Sequence, residues 1–202
     1  VEEFYKNILE INHERMDVIR YATVVINEKG ETISKVHVHP KFETTPDFLM
    51  RKFRGGTRST LSEFVFRKTA FDLVGFKDLP LAWWSDYLAV MEVSKFSTMF
   101  TINNSLVYFR LSGINITSKK DDYVLKRDAT FKFYHYLLGE KKQYFNTKEL
   151  KILNKKIEDN LLASRSISLF LKFSSLYVMN CYVKEYFQFF GRVILLSLKK
   201  IK

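Results

Sequence analysis

Asp17-Val18-Ile19-Arg20-Tyr21-Ala22-Thr23-Val24-Val25-Ile26-Asn27 reads as a buried strand. The run is too short and too rich in β-branched residues to favour a helix. With that strand in place, the flanking patterns assemble into a mixed α/β unit. On its N-terminal side, residues 2–13 carry Phe4, Ile8, Leu9 and Ile11 at helical spacing. On its C-terminal side, Glu28-Lys29-Gly30 makes a turn, and Glu31 to Val38 reads as a second strand. Thr45-Pro46-Asp47 opens a helix, with Thr45 as N-cap, that runs to Phe53 and ends at Gly55-Gly56. Leu61–Phe66 reads as a strand, and Lys68 to Val74 as a short helix stopped by Gly75. Ser85 to Phe96 reads as a helix with Leu88, Met91 and Phe96 turned inward, and residues 98–102 and 105–111 as two strands.

From residue 118 the pattern is helical throughout. Ser118-Lys119-Lys120-Asp121 resembles a capping box for a helix ending at Gly139. Asn146-Thr147-Lys148-Glu149 caps a helix over 147–162, and a long aromatic helix starts at Ser164 or Ser166 with a break near Gly191. The expected organisation is therefore 1–117 as a mixed α/β region and 118–202 as a basic, aromatic helical region.

Composition agrees with a globular chain: 202 residues, 47% hydrophobic and 27% charged, with few Gly and Pro. A lone cysteine, Cys181, excludes an internal disulfide and suits a cytoplasmic setting. Within an aromatic helix it reads as a buried, inert thiol. No apolar run is long enough for a transmembrane helix. The net charge of +11 is lopsided. Residues 1–117 carry 15 basic and 14 acidic side chains, whereas 118–202 carry 18 and 8. That excess calls for an acidic partner or serves as a solvated lysine face.

Few constellations carry chemistry. His37 and His39 lie two apart on the expected second strand, but no further Cys or His stands near them, so no metal site is read and a half-exposed strand pair is expected. No nucleophile elbow or phosphate-cradling glycine loop is present. The best candidate is Asp86, in Asp78-Leu79-Pro80-Leu81-Ala82-Trp83-Trp84-Ser85-Asp86. It stands in the first turn of a helix, where the macrodipole favours a carboxylate. It follows two indoles that suit a sugar ring, and an apolar loop that can exclude water and shift a pKa. The competing role is plainer: Ser85 or Asp86 caps the helix.

Residues 58–91 carry a resemblance. Arg58-Ser59-Thr60-Leu61-Ser62-Glu63-Phe64-Val65-Phe66-Arg67-Lys68-Thr69-Ala70-Phe71, then Val74-Gly75-Phe76, then Pro80-Leu81-Ala82-Trp83 and Ser85-Asp86, are similar to the acceptor-side half of bacterial family-2 glycosyltransferases. Val107–Thr117, an arginine-bearing strand and polar loop, resembles a later segment of the same family. The resemblance covers roughly residues 1–138. It implies an incomplete GT-A-like mixed sheet with flanking helices, followed by the helical region. It implies inverting transfer from a nucleotide sugar to a hydroxyl of a glycan or lipid-linked acceptor, in bacterial surface polysaccharide synthesis. Asp86 matches the catalytic base, and Ser85 stands where many members have Glu. By the same resemblance Trp83, Trp84, Ser85 and Glu63 would face the acceptor, and Arg110 would meet the phosphates.

The family's Asp-x-Asp motif, which holds a divalent metal (Mg or Mn) on the diphosphate, is absent from this sequence. The resemblance therefore implies about a hundred further residues in a parent protein, and an inactive chain without them. The basic 165–202 segment reads as an amphipathic anchor on an anionic membrane surface, peripheral on the inner face of the cell membrane. Packing on its own domain or on a homodimer mate is the alternative. No nucleic-acid motif is found, so no nucleic-acid partner is expected. The rival functional readings are a basic nucleic-acid-binding module and a noncatalytic scaffold with an enzyme-derived fold.

Overall fold

The computed structural model describes residues 2–10, 16–111, 122–164 and 166–198, and shows a mixed α/β chain in two compact units. The first comprises Val1–Asp78 and Trp84–Asp121; the second comprises Leu79–Trp83 and Asp122–Lys202.

The first unit is built on a four-stranded mixed sheet. Its elements are α1 (Glu2–Glu10), β1 (Val18–Ile26), β2 (Phe42–Thr44), α2 (Thr45–Phe53), β3 (Phe64–Phe66), α3 (Lys68–Val74), α4 (Ser85–Val93) and β4 (Thr98–Arg110). The strand order is β2-β4-β1-β3. β1 is parallel to β4 and antiparallel to β3, and β2 is antiparallel to β4. β1 is central, and all but Tyr21 of its residues are buried, which is why it reads as a continuous apolar run rather than an alternating one. Ile19, Phe100 and Ile102 form a cluster that Phe4 and Ile8 of α1 cover.

Several expectations are corrected here. Residues 31–38 do not form a second strand; they meet β1 through isolated bridges, Thr23 with His37 and Ile26 with Thr32, and through Ser34 Oγ, which accepts from the Val25 amide at 2.9 Å. The N-cap of α2 is Thr44, whose hydroxyl accepts from the Asp47 amide, so Thr45 is the first helical residue. Leu61–Glu63 is a 3-10 turn, and only Phe64–Phe66 is strand. The two strands expected over 98–111 are one. Tyr21 pairs with Ile102 but Ala22 pairs with Leu106, so Asn103, Asn104 and Ser105 bulge out of β4. The bulge is satisfied by a side chain: Asn103 accepts from the His39 amide at 3.1 Å and donates to the His39 carbonyl at 2.8 Å.

The second unit is helical, with α5 (Tyr123–Gly139), α6 (Thr147–Ser164), α7 (Ile167–Met179) and α8 (Val183–Leu198). Asn146 caps α6 by accepting from the amides of Lys148 and Glu149, while Glu149 accepts from the Asn146 amide at 2.8 Å. Phe173, Tyr177 and Phe189 stack in the core, with Phe173 4.1 Å from Tyr177 and 4.7 Å from Phe189 between ring centroids. Buried Tyr177 donates to Asn154 at 2.6 Å, and buried Glu158 pairs with Arg192. The long aromatic helix breaks at Asn180–Tyr182, where Cys181 has φ +58°, and runs unbroken through Gly191. Cys181 is exposed, not buried, because the break turns it outward. The Ser118–Asp121 capping box and residues 112–117 lie outside the described residues.

Candidate active site

Asp86 stands where the chain re-enters the first unit. The segment before it is conformationally strained: Leu81, Ala82 and Trp84 have φ of +58°, +52° and +72°. Each such L-residue costs on the order of 1 kcal/mol. Left-handed backbone at Trp84, the N-cap position of α4, sends Ser85 and Asp86 into the first turn. Ser85 is buried and donates to the Lys77 carbonyl at 2.7 Å, which fixes the loop to the helix. Neither Ser85 nor Asp86 acts as the N-cap residue; Asp86 Oδ1 accepts from the Tyr87 amide at 2.9 Å.

Asp86 is half-buried. Burial raises its carboxyl above the usual range, against the pull of the Tyr87 amide and the Lys52 ammonium. Burial lowers Lys52 in turn, and its Nζ lies 5.9 Å from the Tyr87 ring centroid. Trp84 packs edge-on against Phe53 and Tyr87, at 6.2 and 5.1 Å. Trp83 belongs to the second unit, where the Lys126 ammonium sits 5.3 Å from its ring.

The same unit holds a buried charge network that the sequence reading missed. Arg20 on β1 is fully buried, donates to Glu43 on β2 at 2.9 Å and stacks 4.9 Å from the Phe48 ring. Arg51 on α2 grips the same carboxylate twice, at 2.6 and 2.7 Å. Arg51 also donates to His39 Nδ1 at 3.2 Å, so the His39 proton resides on Nε2. His39 is buried and off any strand, contrary to the half-exposed pair expected for it and His37. Burial, Arg20 and Arg51 push its imidazole down to about 3, keeping it neutral. Burial lowers Arg20 to about 10, which still leaves it charged at neutral pH. The signal in the sequence was an arginine in the middle of an otherwise apolar strand.

Glu63 is fully buried, with its oxygens accepting from Ser59 Oγ at 2.8 Å and the Thr60 amide at 3.1 Å. It presents no oxygen to a sugar; it closes a capping box and faces the fields of Arg20 and Asp86. Burial pushes its carboxyl up to about 7. The folded state thus retains a proton that the unfolded chain loses near 4.5, so stability falls as pH rises from about 4.5 through 7. His39 acts in the opposite sense, adding stability above its unfolded 6.5 and losing it as pH falls towards 3. Glu63→Gln is expected to remove the first slope, so the variant gains on the parent by roughly 3 kcal/mol between pH 4.5 and 7.5. Urea unfolding of both proteins across that range is the check; parallel profiles would contradict it.

Arg110 is not brought to this cluster. It lies about 20 Å along the β1–β4 ladder from Thr101, since Thr101 pairs with Arg20 and Arg110 with Ile26. There it is exposed and donates to the carbonyls of Asn27 and Glu28, holding the turn after β1. Among the described residues no three His, Cys, Asp or Glu side chains gather as a metal site. No protein-family model matches the chain, and no curated protein matches it.

Proposed function

We propose that this chain is the acceptor-side part of an inverting glycosyltransferase with a GT-A-like fold, and that Asp86 is its general base. The observation that carries the reading is the setting of Asp86: a half-buried carboxylate with a raised pKa, delivered by a strained loop in a unit that also holds a buried charge network. Strain and buried charge both cost stability, and both concentrate where a protein orients reacting groups. The four-stranded mixed sheet supports the reading at the level of architecture.

In the proposed step, the acceptor hydroxyl oxygen bonds to the anomeric carbon of a nucleotide sugar. Its proton passes to Asp86, and the bond to the nucleoside diphosphate breaks. A raised pKa makes Asp86 a stronger base for that proton than an ordinary aspartate. Lys52 and Tyr87 steady the carboxylate. Trp84, packed on Tyr87, borders the acceptor, while Glu63 holds the Ser59-Thr60 turn. Catalysis needs a donor-binding partner half, and the family's Asp-x-Asp is not in this sequence.

The acceptor half is testable on the chain as it is. Its only two tryptophans are Trp83 and Trp84. A glycan acceptor is expected to shift their emission saturably, with the response lost in Trp84→Phe and kept in Trp83→Phe. A flat response across a panel of oligosaccharides would remove the acceptor assignment.

A further inference from the structure

Two outward-facing apolar stripes lie on the last two helices. On α7, Ile167, Leu171 and Val178 recur at positions that fall on one side of the helix, and all are more than 60% exposed. On α8, Val183, Phe187, Phe190 and Ile194 follow the same spacing and are also exposed. The opposite faces are already used: Leu169, Phe173, Leu176 and Phe189 form the core of the unit. Exposed Phe and Ile in such rows are costly in water and mark a contact surface.

We propose that these two stripes dock the chain on an anionic phospholipid surface. Three observations select that occupant. First, between residues 167 and 198 the only acidic side chain is Glu185, against Lys172, Lys184 and Arg192, the last of which is paired with Glu158. Residues 122–202 as a whole carry 16 basic and 7 acidic groups. A second copy of the chain would set one cationic surface against another, whereas anionic headgroups neutralise it. A nucleic acid would answer the charge but leave the aliphatic stripes in water. Second, no described helix is long and apolar enough to cross a membrane, so the stripes suit helices lying in the interface. Third, Leu171 and Lys172 line a groove of about 640 Å³ between α5 and α7. Its walls add Lys132, His135 and Phe131, and Glu140 stands on its rim. Lys132 is ion-paired with Asp128, which leaves Lys172 as the headgroup-facing cation.

In the docked state Phe187 and Ile194 insert below the headgroups, and Lys172 and Lys184 extend their ammonium groups to the phosphates. The test is flotation of the 202-residue chain with phosphatidylcholine vesicles, with and without phosphatidylglycerol. The bound fraction is expected to rise at least tenfold with the anionic lipid, since each lysine at such a surface contributes about fivefold. Phe187→Ser with Ile194→Ser changes exposed positions only, so circular dichroism stays unchanged while flotation is lost. Lys172→Glu with Lys184→Glu is expected to abolish the preference for anionic vesicles. Absence of flotation by the parent chain overturns the proposal. So does undiminished flotation of the serine variant, or a dimer that Phe187→Ser dissociates without any vesicle binding.

Discussion

Glu43→Ala is expected to lower the stability of the chain by about 3–5 kcal/mol, the cost of stranding a buried charge. Glu43 is the hub of the buried charge network in the first unit. Its carboxylate receives one hydrogen bond from Arg20 and two from Arg51. Arg20 has no second hydrogen-bond acceptor among the described residues: its Nε and Nη1 are buried without one, and its remaining hydrogen bond goes to Glu43. With Glu43 in place its pKa stays near 10, so it is charged at neutral pH. Removing Glu43 therefore leaves two guanidinium groups facing one another, one of them with no access to water. Against a total stability of about 5–15 kcal/mol, the loss is a large fraction of the whole. Glu43→Gln keeps the shape and one acceptor, so its cost is expected to lie between those of parent and alanine. The double variant Arg20→Met, Glu43→Leu removes both charges and is expected to recover most of the loss. Urea midpoints for the four proteins form the test. An alanine variant within about 1 kcal/mol of the parent would mean that the network carries no such charge penalty.

The same network marks the limit of what the sequence conveys. The strand over Val18–Ile26 was legible because its residue types admit little else. Arg20 within it was visible but not interpretable, since its partner sits on a three-residue strand with no periodicity to announce it. The expected strands stopped at 102 and resumed at 105 because asparagine is poor in strands; the pairing of the Asn103 amide with His39 lets β4 continue through the gap. Gly191 looked like a break, yet a single glycine costs a helix only about 1 kcal/mol, and α8 continues through it. The break at Cys181 arises from tertiary packing of Tyr177 against Tyr182 and Tyr186, which no local pattern encodes. For the candidate site, the Trp-Trp-Ser-Asp string located Asp86 in a helix's first turn. The left-handed backbone of Leu81, Ala82 and Trp84 was out of reach, because such conformations in L-residues are imposed by surroundings, not by propensity. Glu63 illustrates the converse. The resemblance placed it against the acceptor, and its burial and bonds to Ser59 and Thr60 give it a local structural position instead.

Asp86→Asn is the variant on which the enzymatic reading turns. In a protein that joins this chain to a nucleotide-sugar-binding half, it is expected to lower kcat by about 10²–10⁴-fold, the range that a positioned general base supplies. Donor binding should be little changed, because the amide has the shape of the carboxylate and alters only its capacity to take a proton. Stability distinguishes this loss from a structural one. Burial disfavours the charged form of Asp86 in the folded chain, so its ionisation costs folding free energy at neutral pH. Removing the charge should leave stability equal or slightly higher, the pattern of a residue retained for chemistry at the expense of the fold. Asp86→Glu keeps the charge but moves the oxygens by about 1 Å, which is expected to cost about 10²-fold. The pH profile adds a further constraint. The acidic limb of the parent's kcat/KM should lie above the 3.8 of an ordinary aspartate, because burial raises the base. Turnover retained by Asp86→Asn, or an unfolded Asp86→Asn variant, would assign the raised pKa to packing alone.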